Sequence, residues 1–137
     1  CSGLPWVIEN VGGAVNEPVH PYLFCGSMFG LQVERHRLFE TNFPMMVPPC
    51  QHGVWTERKY PGTPREDGSR PMSVVANPMA SGISHGVFAD AMEIDWMPVG
   101  PRGGFRPTNE LRQAIPPAYT EHIGRQLIEQ LERRAAA

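Results

Sequence analysis

Pro5-Trp6-Val7-Ile8-Glu9-Asn10-Val11 is the run that places this chain among α/β proteins. Trp6, Val7, Ile8 and Val11 suit a pleated, half-buried surface, so the run reads as a short strand. Gly12-Gly13 ends it. A mostly apolar strand finishing near a polar pair, Glu9-Asn10, fits a buried strand of an α/β sheet, where ligands collect beyond the carboxyl ends. Glu9 then reads either as a site residue or as a plain surface residue at a strand end.

Downstream, Pro18 and Pro21 break residues 12–22 into loop, and Leu23 to Gly30 is a compact apolar stretch. Arg35-His36-Arg37-Leu38-Phe39 forms a second candidate strand. Alternation puts Arg35, Arg37 and Phe39 on one face and His36 and Leu38 on the other. Two guanidinium groups on one face make a fork suited to anionic or carbonyl groups; a solvated edge strand is the plainer alternative.

Residues 44–86 change character, with seven prolines from Pro44 to Pro78 and mixed charge in Glu57-Arg58-Lys59 and Arg65-Glu66-Asp67. Neither strand nor helix periodicity persists, so this segment is expected to be a loop-rich insert, functional or simply mobile. Arg58, Lys59, Arg65 and Arg70 are its candidate phosphate contacts. Phe88 to Met97 reads as a short helix, and 98–107 as a loop carrying Arg102 and Arg106. Thr108 is placed to cap the segment Glu110-Leu111-Arg112-Gln113-Ala114. After Pro116-Pro117, Ala118 to Arg134 reads as one amphipathic helix, with Ile123, Leu127, Ile128 and Leu131 expected to pack on a sheet. The organisation expected is 1–43 as strands of one domain, 44–86 as the insert, and 87–137 returning to that domain.

Composition narrows the class. The 137 residues suffice for one small domain or part of a larger one, and Gly 14 with Pro 15 implies many turns. The net charge of −2 lacks the strong basicity common in freestanding nucleic-acid-binding domains, so DNA contact would rest on local patches. Cys1, Cys25 and Cys50 have no disulfide spacing, and they suggest reduced thiols and a cytoplasmic setting. No run approaches the ~20 apolar residues of a membrane span. A first residue of Cys suggests a fragment, a processed product or half of a split protein.

Three segments, in order, resemble DNA cytosine-5 methyltransferases. Glu9-Asn10-Val11 matches the family's Glu-Asn-Val motif at a strand end. Phe29-Gly30-Leu31-Gln32-Val33-Glu34-Arg35-His36-Arg37-Leu38-Phe39 resembles Tyr-Gly-Val-Pro-Gln-x-Arg-x-Arg-x-Phe, with Gln32 at the Pro position and Val33 at the Gln position. Ala114-Ile115-Pro116-Pro117 looks like the last motif, where Arg112 and Gln113 replace the usual Gly-Asn. Ala91 to Trp96 is similar, more weakly, to the motif before it. The wording is closest to compact phage and actinobacterial members.

The resemblance implies a partial Rossmann-like, S-adenosylmethionine-dependent methyltransferase fold whose insert at 44–86 is the target-recognition region. It implies a cytosine flipped out of double-stranded DNA, attacked at carbon 6 by a Cys thiolate and methylated at carbon 5. Glu9 would hold the ring nitrogen and exocyclic amine. Arg37 would clamp the carbonyl and orient Glu9, with Arg35 supporting it or contacting phosphate. Asn10, Arg58 and Lys59 would bind substrate; Ile115, Pro116 and Pro117 would border the cofactor. A Glu that shares a proton with the ring nitrogen stabilises the charge developing there. The setting implied is the cytoplasm of a bacterial or phage-infected cell.

The family's Phe-x-Gly-x-Gly cofactor loop and Pro-Cys-Gln nucleophile motif belong upstream of Glu9 and are absent. Activity would therefore need a complementary amino-terminal half, and a sheet lacking its first strands would expose apolar edges and favour poor solubility. Pro49-Cys50-Gln51 repeats the nucleophile motif downstream, as a permuted enzyme would, but no helix pattern follows it. Cys50 and His52 alone are too few for a zinc site, and His20, Cys25 or His85 would have to join. Cys50 is thus expected to be an ordinary loop thiol and Cys25 a small buried residue, with no metal. A non-catalytic DNA-binding or regulatory module of the same fold is the alternative function.

Overall fold

The computed structural model of the chain describes residues 3–11, 20–50, 84–98 and 107–136. Its elements are strands β1 (Val7–Val11), β2 (Tyr22–Phe24) and β3 (Arg37–Thr41), a 3-10 turn at Gly26–Phe29, and helices α1 (His85–Ala91), α2 (Asn109–Gln113) and α3 (Pro117–Ala135). The strands form one sheet in the order β1-β3-β2. β3 is antiparallel to both neighbours, so β1 and β2 run parallel to each other with a reversed strand between them.

Register sorts the side chains. Glu9 lies opposite Phe39 and Val11 opposite Arg37, while Tyr22 and Phe24 lie opposite Phe39 and Arg37. One sheet face therefore carries Glu9, Val11, Arg37, Phe39, Tyr22 and Phe24. α3 packs on this face. Tyr119 meets Phe24 edge-on at 5.7 Å between ring centroids, and Phe39 in the same way at 6.3 Å. Ile123 is buried one turn on, and the core extends through Leu31, Val33, Phe43, Met45, Phe88, Met92, Ile94 and Leu111. The buried stripe on α3 is Tyr119 and Ile123 with Leu127 partly covered, whereas Ile128 and Leu131 are exposed. The expected four-residue packing face is thus shifted toward the helix start.

β1 differs from expectation more sharply. It is an edge strand, and Val7, Ile8 and Val11 are all exposed, as is Leu23 on β2. The apolar run that marks a strand buried on both faces is exposed here, with β3 its one paired neighbour among the described residues.

The first residues expected in the insert belong instead to the packed body. The Gln126 side chain accepts from Met46 N at 2.6 Å and donates to the Met46 carbonyl at 2.9 Å, and the His122 ring reaches that carbonyl at 2.7 Å. Gln130 donates to the Pro44 carbonyl at 2.6 Å, and Met45 N donates to the Tyr22 hydroxyl at 3.2 Å. Residues 44–50 form a strap whose start, Pro44 to Met46, is held to α3 and whose end, Cys50, lies beside His36. Residues 51–83 lie outside the described part.

Helix ends follow their side chains. Thr108 caps α2, its hydroxyl accepting from Leu111 N at 3.2 Å, and Pro117 occupies the first turn of α3, where a missing N–H costs nothing. Ser84 caps α1 by accepting from Val87 N at 3.3 Å. α1 ends in a Schellman turn, with Ile94 N bonded to Ala89 O and Glu93 N to Asp90 O, both at 3.0 Å. The left-handed position of that turn falls on Glu93, at φ 56°. Glycine is the residue for this geometry, so Glu93→Gly is expected to stabilise the chain by about 0.5–1 kcal/mol in a denaturant titration. Gly26 has the opposite requirement. A Cβ there would lie 1.9 Å from the Val33 carbonyl oxygen, so Gly26→Ala should cost about 1–3 kcal/mol in the same assay.

Candidate functional site

Glu9 and Arg37 sit diagonally across β1 and β3 on one face, two residues out of direct opposition. At that spacing a long side chain reaches its diagonal neighbour. The Arg37 Nε donates to Glu9 Oε1 at 2.8 Å. The two side chains are 13% and 32% exposed respectively, which leaves the pair open to solvent on one side rather than sealed in the core. Arg37 Nη1 also donates to the carbonyl of His36 at 3.0 Å, so its guanidinium plane is held from two directions.

Arg35 is not a second arm of the same fork. β3 begins only at Arg37, and Arg35 turns inward, 5% exposed, where Nη2 donates to the Arg112 carbonyl at 2.5 Å. The Arg35 carbonyl in turn accepts from the Tyr119 hydroxyl at 2.5 Å. Burial, with the like charge of Arg37 beside it, pushes the Arg35 guanidinium down from its ordinary range to about 10. Its Nε is buried without a hydrogen-bond partner among the described residues. This placement removes Arg35 from phosphate contact. It is a clamp between the start of β3, the end of α2 and the first turn of α3.

Asn10 points to the opposite face from Glu9, and its side-chain oxygen accepts from Val11 N at 2.9 Å. Pro116 is fully buried, while Ile115 packs against the core at half burial. Arg58, Lys59, Arg65, Arg70 and His52 lie outside the described residues. His85 is buried, and its Nδ1 accepts from Thr108 N at 3.4 Å, which ties α1 to the cap of α2.

A second group of chemically active side chains gathers beside Arg37. The Cys25, His36 and Cys50 ligand atoms all lie within 4.8 Å of one another. The Cys50 sulfur is 3.9 Å from His36 Nε2. The Ser27 hydroxyl donates to the Cys25 sulfur at 3.3 Å and lies 3.7 Å from that of Cys50. Burial pushes the Cys25 thiol up from 9.0 to about 11, against the lowering effect of Ser27. Cys25 is buried as the sequence suggests, but Cys50 is no stray loop thiol. His36 is not among the residues that the sequence offers as partners of Cys50, because its place beside Cys25 comes from the pairing of β2 with β3. Tyr119 was also overlooked, although Tyr119, Ile123 and Leu127 recur at four-residue intervals and could have marked it.

Comparison of the chain with family models, with curated proteins and with solved structures found no match. Among the described residues, no helix is long and apolar enough to cross a membrane.

Proposed function

We propose that the chain is a portion of a DNA cytosine-5 methyltransferase, and that Glu9 and Arg37 receive a cytosine turned out of the duplex. The ion pair at 2.8 Å is the observation that carries this, because the two residues to which the resemblance gives one ligand, 28 positions apart, lie in contact. The reversed strand between two parallel ones is compatible with a mixed sheet at the margin of a doubly wound fold.

Glu9 Oε1 is engaged by Arg37, and Oε2 is the oxygen that would meet the ring nitrogen and exocyclic amine of cytosine. Arg37 holds Glu9 through Nε and the chain through Nη1, and Nη2 is the nitrogen that would reach the base carbonyl. A carboxylate held by a fixed guanidinium keeps its orientation as charge develops on the ring, so little reorganisation is needed during reaction. Arg35 positions the strand start that carries Arg37.

Ile115, Pro116 and Pro117 are apolar, and Pro116 is fully buried. They offer no carboxylate for ribose hydroxyls and no glycine-rich turn, so by themselves they do not fit S-adenosylmethionine. A complementary amino-terminal half would bring the cofactor site and the nucleophile. The bare apolar β1 is the edge such a half would cover. The expected setting is the cytoplasm of a bacterial or phage-infected cell, with double-stranded DNA as substrate.

The test is to combine this chain with the amino-terminal half of a compact family member and follow labelled methyl transfer from S-adenosylmethionine to duplex DNA. Methylation that requires both chains is the expected result. DNA binding without methylation, with every pairing tried, would favour the non-catalytic module instead.

A further inference from the structure

We propose that Cys25, His36 and Cys50 form a zinc site that staples the end of β2, the approach to β3 and the strap 44–50 together. The three ligands come from three separate segments: Cys25 follows β2 directly, His36 precedes β3 directly, and Cys50 closes the strap. The register that sets Phe24 opposite Arg37 brings Cys25 next to His36, and Cys50 arrives there from outside the sheet.

The spacing is close to what zinc needs. Zinc–sulfur and zinc–nitrogen bonds of about 2.3 Å and about 2.0 Å imply ligand–ligand edges of about 3.5–3.8 Å in a tetrahedron. The His36–Cys50 edge is 3.9 Å, and no edge exceeds 4.8 Å. Closing on an ion therefore takes shifts of an ångström or less. Two soft thiolates with one imidazole are a donor set for zinc rather than for magnesium or calcium. The Ser27 hydroxyl, near both sulfurs, is placed as the outer hydrogen-bond donor that ligating thiolates commonly have. A water would complete the fourth position.

The site would have a structural role. Ion binding would deprotonate both thiols and tie Cys50 to the paired ends of β2 and β3, adding metal bonds to the strand pairing and the Met45–Tyr22 hydrogen bond. His36 also carries the carbonyl that accepts from Arg37 Nη1, so the staple would hold the backbone behind the Glu9–Arg37 pair. The zinc site itself does not rest on the methyltransferase assignment.

The experiment uses the whole chain, reduced and freed of metal, in a Cys1→Ser background so that only Cys25 and Cys50 supply thiolate. Cobalt(II) is titrated in and then displaced with zinc. One equivalent of cobalt should give thiolate-to-metal charge transfer and the strong visible bands of a tetrahedral site, and zinc should bleach both. Cys50→Ser and His36→Gln should each weaken zinc binding by more than the tenfold to hundredfold typical of outer-shell changes, and Ser27→Ala by about tenfold. If a variant fails to fold, alkylation of the unmutated chain decides the matter: zinc should protect Cys50, and a chelator should restore its labelling. Absence of cobalt bands, unchanged affinity in Cys50→Ser, or a Cys25–Cys50 disulfide in the freshly isolated chain would overturn the proposal.

Discussion

Glu9→Gln, in the chain combined with a complementary half, is expected to slow methyl transfer by about 10²–10³-fold while leaving DNA affinity nearly unchanged. The amide is the same size and keeps the strand intact. It loses the ion pair to Arg37 at 2.8 Å and, on the proposed function, the negative charge that would stabilise the ring as the nucleophile adds. Arg37→Ala should fall further, since it removes the carbonyl clamp and also releases Glu9 from its fixed orientation. Arg37→Lys should rescue little, because a single ammonium cannot reproduce the Nε contact to Glu9 and the Nη1 contact to the His36 carbonyl together. The double variant should lose less than the sum of the two single losses, as residues acting in one unit do. Single-turnover rates check this directly, and wild-type rates in either single variant would remove the pair from catalysis.

Tyr119→Ala is expected to destabilise the chain by about 3–5 kcal/mol, the largest single effect on folding. Its ring is fully buried against Phe24, Phe29 and Phe39. Tyr119→Phe keeps the ring and removes only the donor to the Arg35 carbonyl, for about 1–2 kcal/mol. Urea unfolding of the two variants separates packing from hydrogen bonding. Burial, and then the neighbouring Cys25, raise the Tyr119 phenol above its ordinary 10.0. The folded chain thus keeps a proton that the unfolded chain gives up. The corresponding stability is complete below pH 10 and is lost as pH climbs above it. In the metal-free chain Cys25, raised from 9.0 to about 11, adds a loss that begins lower, above pH 9. Arg35, lowered by burial to about 10, works in the opposite direction above pH 10. Tyr119→Phe should flatten the alkaline decline, and an unchanged decline would assign it to other groups.

Much of this fold was legible because local chemistry and tertiary structure agree in it. The strand at Val7–Val11, the cap at Thr108 and the start of α3 at Pro117 all follow from side-chain shape and hydrogen-bonding capacity within a few residues. The Glu9–Arg37 contact was legible only through motif resemblance, since nothing within either segment indicates that the two strands are neighbours. What sequence could not show was set by partners far along the chain. Arg35 reads like Arg37 in the sequence, yet a carbonyl 77 residues away takes it into the interior. The Val7–Val11 run has the composition of a buried strand, and its exposure depends on what packs beside it. Cys50 and His36 are ordinary within their own segments and become a cluster only when the strap folds back beside β3.

A structure of the combined chains trapped on duplex DNA carrying 5-fluorocytosine at the target position tests the central assignment most directly, because the fluorine blocks release of the covalently held base. The expected result has the flipped ring within about 3 Å of Glu9 at its nitrogen and amine edge, with Arg37 bonded to both Glu9 and the base carbonyl. A trapped base seated elsewhere, with Glu9 and Arg37 paired only to each other, would contradict it.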